Sequence, residues 1–152
     1  MAATLDVICR YLAERRLRYT RDDAQDLVVV PFEHEAIGTL SVVVRLEEHG
    51  EFLKIFCPQL FRYPEGPHKL PLMQTLLLTS WETKMLQWEY DPTDGEVRAT
   101  VEFPLEDATL TQRQFDRAFT GLLQMVEAFQ PRLAAVIATG VDPQRAGDAG
   151  TD

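Results

Sequence analysis

Acidic side chains are the residues in this sequence best able to do chemistry, and they crowd one stretch. LQWEYDPTDGEVRATVEFPLEDATLTQRQF, residues 86–115, holds Glu89, Asp91, Asp94, Glu96, Glu102, Glu106 and Asp107. That density could hold a divalent cation or pair two carboxylates for general acid–base work. A calcium loop of the EF-hand type needs oxygen ligands at alternate positions and a glycine at the sixth. Counted from Asp91, the glycine comes fifth, at Gly95, and Glu96 takes the sixth place, so the frame fails. DPTDG reads instead as a hairpin turn, with Pro92 fixing φ and Gly95 supplying a left-handed position. Glu96, Arg98, Thr100 and Glu102 alternate with Val97, Ala99, Val101 and Phe103, which assigns the polar set to a solvated sheet face. Glu106 and Asp107 precede a helix start, where negative charge is favoured.

The other reactive side chains form no site. His34 stands between Glu33 and Glu35, and neighbours on an extended strand point to opposite faces, so these three cannot share a metal. His49 and His68 are in a turn and a Pro-rich loop, and no HExxH spacing occurs. Cys9 and Cys57 are isolated in apolar settings, as expected of reduced, buried thiols in a cytoplasmic protein. No GxSxG, GxGxxG or GxxxxGK[ST] is present. No metal, cofactor or catalytic group is expected.

Charge excludes a further class. The net charge is −9 and the only lysines are Lys54, Lys69 and Lys84, a poor match for a phosphate backbone. Arg15, Arg16, Arg18 and Arg21 cluster at the end of a helix, where they complement its dipole or, alternatively, meet an anion. No apolar run approaches the ~20 residues that span a bilayer, and MAATLDVICRYLAERR lacks the pattern of a signal peptide.

The elements around the acids follow from periodicity. Residues 4–18 read as a helix capped by Thr4, with Leu5, Ile8 and Tyr11 or Leu12 on one face. Residues 26–32, 37–46 and 52–60 read as strands, with Pro31 marking an edge or an end and EEHG as a hairpin turn at Gly50. Residues 61–71 are a Pro- and Gly-rich loop, and 72–86 a helix started by Pro71. The apolar run at Leu76–Leu78 suggests burial on more than one face of that helix. Two strands flank DPTDG. Thr111 and Gln114 then form a capping box, and Phe115, Phe119, Leu122, Val126 and Phe129 make a core stripe. Pro131 is expected to break or kink this last helix, and Gly140 to close it. The expectation is an α+β fold, an antiparallel sheet covered by helices in the order α-β-β-β-α-β-β-α. It forms a single domain over residues 1–140 with a disordered tail over 141–152.

Residues 76–129 carry a resemblance. An apolar helix, Trp88 and Tyr90 on an alternating strand, the turn from Asp91 to Gly95, the strand Val97–Phe103, then Pro104, Leu110, Thr111 and Phe115 are similar to the YbjN-type family. The family's fold resembles that of small acidic type III secretion chaperones, and SWETKMLQWEYDP is similar to uncharacterised cyanobacterial members. Ser80 and Trp81 stand where relatives often carry Asn. The resemblance implies a non-enzymatic role in binding or regulation, and dimerisation.

The expected function is a non-enzymatic protein-binding or regulatory module of chaperone-like fold, a homodimer with a protein partner of unknown identity and no nucleic acid or membrane partner. Phe61, Tyr63, Trp81 and Trp88 are the candidate contact residues, as aromatic anchors. Core packing is the competing role for each. The alternative function is a small-ligand sensor or small enzyme using a cleft beside the 61–71 loop.

Overall fold

The computed structural model describes residues 2–145 of the chain. The part of the expected tail beyond Arg145 lies outside the described residues. Helix α1 (Leu5–Glu14) begins at Thr4, whose hydroxyl accepts from the Val7 amide, and turns Leu5, Ile8 and Leu12 inward. It ends before residue 18 because Arg16, at φ 58°, turns the chain.

Strands β1 (Thr20–Asp22), β2 (Leu27–His34), β3 (Gly38–Glu47) and β4 (Phe52–Arg62) follow. Then come α2 (Lys69–Glu82), the hairpin β5 (Gln87–Asp91) and β6 (Glu96–Pro104), and α3 (Gln112–Thr139). The expected order is present, with β1 as a short added strand. The strands form one antiparallel sheet in the order β1-β2-β3-β4-β6-β5. Pro31 does not end β2. It lies past the residues that β1 reaches, where β2 is paired on one side only and a missing N–H is tolerated.

The main core fills the space between the sheet and α1 and α3. Val28, Val42, Val44, Leu53, Ile55, Ala99 and Val101 meet Ile8, Leu12, Phe115, Phe119 and Leu122. A second cluster joins Leu72 and Leu76 of α2 to Val97, Leu133 and Val136. Pro131 lies at the junction of the two clusters, inside one continuous helix. Packing of α3 on both sides of Pro131 outweighs the single ladder bond that proline removes. α2 starts three residues before Leu72, and Pro71 still falls among the first four residues, whose amides have no acceptor within the helix.

The outer sheet face is less solvated than alternation implies. Leu27, Val43 and Phe56 form a small cluster there, and Thr100 and Glu96 are buried. Arg45, Lys54 and Arg98 extend over the Phe56 ring with their charges within 6 Å of its centre, covering it with their stems. Burial opposes the Lys54 charge, but Glu89 and Glu102 outweigh it and hold the ammonium above its ordinary pKa.

Candidate protein-binding surface

The 61–71 loop is clamped rather than free. The Tyr63 amide donates to the Gly95 carbonyl at 2.8 Å, and the Tyr90 hydroxyl donates to the Tyr63 carbonyl at 3.1 Å. The Tyr63 hydroxyl accepts from the His68 amide, and His68 Nδ1 donates to the Ile137 carbonyl at 2.8 Å. Gly95, at φ 78°, lies so close that a β-carbon there would come within 2.2 Å of Pro64 N. The hairpin turn and the end of α3 thus hold the loop from two sides and set the direction in which α2 leaves it.

α2 buries Leu72, Thr75, Leu76 and Thr79. Thr75 and Thr79 return their hydroxyls to carbonyls one turn earlier, so neither is left unpaired. The opposite side of the helix is open and carries large apolar residues. Leu70, Leu77 and Trp81 are 68%, 73% and 86% exposed, and Met85, just past the helix end, is 47% exposed. The spacing of 70, 77 and 81 brings the three helical residues to one side, where the exposed Gln74 stands between Leu70 and Leu77.

An ion cluster around the buried Arg132 fixes the far end of α2. Arg132 on α3 is 4% exposed, reaching Glu82 with Nη1 at 2.7 Å and Asp142 with Nε and Nη2 at 2.8 and 2.7 Å. The bidentate bond to Asp142 raises the pKa of the guanidinium, and Arg132 in turn lowers that of the Asp142 carboxyl. Chain beyond Gly140 is therefore attached at least to Asp142.

Phe61, Tyr63 and Trp88 are half-buried and pack together in the second cluster. Trp88 Nε1 is buried without a hydrogen-bond partner. Trp81 alone of the four aromatics stands in solvent, on the outer row of α2. Sequence reasoning missed Leu70, Leu77 and Met85. The spacing of Leu70 and Leu77 with Trp81 was the available signal, but the Leu76–Leu78 run suggested burial, whereas Leu77 is exposed.

The acids of the hairpin brace its turn. Ligand atoms of Asp91, Asp94 and Glu96 lie within 4.8 Å of one another. Asp91 and Asp94 accept from the Thr93 and Glu96 amides, and Glu96 accepts from the Gln59 amide and pairs with Arg98. Burial pushes the Cys57 thiol up to about 12, which keeps it protonated and unreactive.

Comparison with known proteins shows the family and the fold. The family model described as "Putative bacterial sensory transduction regulator" matches residues 4–135. The chain belongs to the YbjN family. Its fold is similar to the crystal structure of YbjN from E. coli, with TM-score 0.64 and 12% identity over 91% of this chain and 94% of that one. It is also similar to a chain of the ExsC–ExsE complex, with TM-score 0.60 and 18% identity over 88% and 97%. A chain of the HopA1–SchA chaperone–effector complex matches with TM-score 0.55 and 17% identity over 80% and 88%. This YbjN-family chain therefore has the type III secretion chaperone-like fold. No curated protein matches the sequence. Among the described residues, no helix is long and apolar enough to cross a membrane.

Proposed function

We propose that this YbjN-family chain is a non-enzymatic protein-binding module that docks protein on the outer face of α2 and self-associates there as a homodimer. The observation that carries this reading is the exposure of Leu70, Leu77 and Trp81 on one side of α2, with Met85 exposed just past its end. Single exposed apolar residues are ordinary on a protein surface, whereas several large ones gathered on one helix face mark an interaction site. A rigid Trp among them is the kind of anchor that dominates interface energetics. A homodimer brings the same row together across a two-fold axis. Two buried free thiols suit a reducing compartment, so the module is cytoplasmic in this reading.

Sedimentation of the wild type and of Leu77→Glu/Trp81→Glu tests the reading. The wild type sediments as a dimer, and the variant as a folded monomer. A wild type that stays monomeric at every concentration, or a variant that dimerises unchanged, sinks the assignment of the dimer to α2.

The second reading is a small-ligand site beside the loop. A cleft of about 350 Å³ lined by Gln59, Leu60, Phe61, Arg62, Asp94 and Glu96 supports it. Against it, Glu96 is engaged by the Gln59 amide and Arg98, and Arg62 Nε by the Asp94 carbonyl. A thermal-shift screen with metabolites separates the two, since a ligand that prefers the folded state raises Tm.

A further inference from the structure

Beside the exposed row, a groove of about 340 Å³ opens between the α2–β5 turn and α3, lined by Lys84, Met85, Arg117, Thr120, Gly121 and Gln124. We infer that this groove binds an acidic amphipathic segment of a partner protein, apolar side chains on Met85 and Gly121, carboxylates on Lys84 and Arg117. The inference rests on the protein-binding reading of α2 and adds the chemistry of the partner.

Charge is the first argument. The chain carries a net −9, yet the rim of this groove is cationic. Lys84 and Arg117 are exposed, as is Arg113 one helical turn before Arg117, and none of the three has an ion-pair partner among the described residues. The neighbouring acids are engaged elsewhere, Glu82 by Arg132 and Asp116 by Arg15. Unpaired cations gathered on an acidic protein attract acidic segments and repel basic ones.

Local cost is the second argument. Met85 holds φ 70°, a left-handed conformation that glycine takes without strain, yet the position carries a flexible apolar side chain, half in solvent. Methionine suits a surface that must adapt to an apolar partner. Gly121 is inside α3, where glycine costs about 1 kcal/mol relative to alanine. Its neighbours do not require glycine, because a β-carbon there would come no closer than 3.9 Å to Met85 Cε. Two residues that weaken the fold locally therefore meet in one groove and keep its floor apolar and open. Such departures from local preference gather at functional sites.

The test is selection from a random-peptide display library on the full chain and on Lys84→Glu/Arg117→Glu. The wild type should enrich peptides with Asp and Glu set among apolar residues, and the charge-reversed variant peptides with Lys and Arg. A peptide selected on the wild type should bind about tenfold more weakly to Gly121→Leu, which fills the groove, and to the reversed variant. Its binding should weaken as salt is raised. Selection without acidic bias, or with the same bias on both proteins, overturns the inference. So does a change in sedimentation of the charge-reversed variant, because it assigns the groove to a second copy of the chain. Leu77→Glu/Trp81→Glu keeps the questions apart: loss of self-association with acidic selection intact separates the groove from the dimer, and intact self-association refutes the α2 dimer without touching the peptide result.

Discussion

Arg132 shows how one residue can decide the position of a surface it does not belong to. It is 4% exposed and engages Glu82 at the end of α2 and Asp142 beyond α3. Arg132→Leu should destabilise the chain by about 3 kcal/mol, the low end for breaking a buried pair, because Glu82 is partly exposed and screened. The pH dependence has a definite sign. Arg132 holds the Asp142 carboxyl below its ordinary pKa, so the pairing stabilises fully above about pH 4 and is lost as pH falls through the depressed value. Urea melts should therefore show the gap between wild type and variant narrowing below about pH 4. The two tryptophans make the complementary contrast. Trp88→Ala should cost about 3 kcal/mol, since its ring packs into both core clusters. Trp81→Ala should change the stability of dilute protein by no more than about 0.5 kcal/mol. Equal costs would mean that Trp81 is not free on the surface. Nothing in the sequence ranks these residues, because both tryptophans follow apolar patterns and Arg132 looks like any charged helix residue.

Among the elements, α3 was the most legible. Thr111 accepts from the Gln114 amide, and the Gln114 side chain returns to the Thr111 amide. Thr111→Ala should lower stability by about 1 kcal/mol, read from the urea midpoint at constant m-value. Local signals of this kind need only a few neighbouring residues, which is why Thr4, Thr111 and the turn at Gly95 could be recognised in advance. α2 was harder. Its apolar residues are spread around the helix, so periodicity alone could not say which side meets the core. The loop clamp through Tyr63, His68 and Gly95 and the Arg132 cluster make that choice, and both depend on residues far away in sequence.

For the whole molecule, the α2 row and the adjoining groove make one surface with two chemistries, apolar in the row and cationic at the groove rim. A dimer that buries the row should show a Tm that rises with protein concentration, and Leu77→Glu/Trp81→Glu should remove that dependence. A concentration-independent Tm in the wild type counts against the homodimer. The overall acidity of the chain would not lead one to a cationic groove, because net charge does not report its distribution.

The sequence by itself determined the order of elements, the caps and turns, the family and the alternating face of β6 that meets the helices. These follow from short-range periodicity and from backbone positions that only certain residues tolerate. Tertiary structure alone decided that Leu70, Leu77, Trp81 and Met85 stay in solvent while Phe61, Tyr63 and Trp88 turn inward. It also decided that the outer face of the sheet is partly closed, with Glu96 and Thr100 buried and Lys54 held by Glu89 and Glu102. An apolar or acidic side chain carries the same local signal whether it meets a neighbour or water, and only the packing of distant elements tells the two apart.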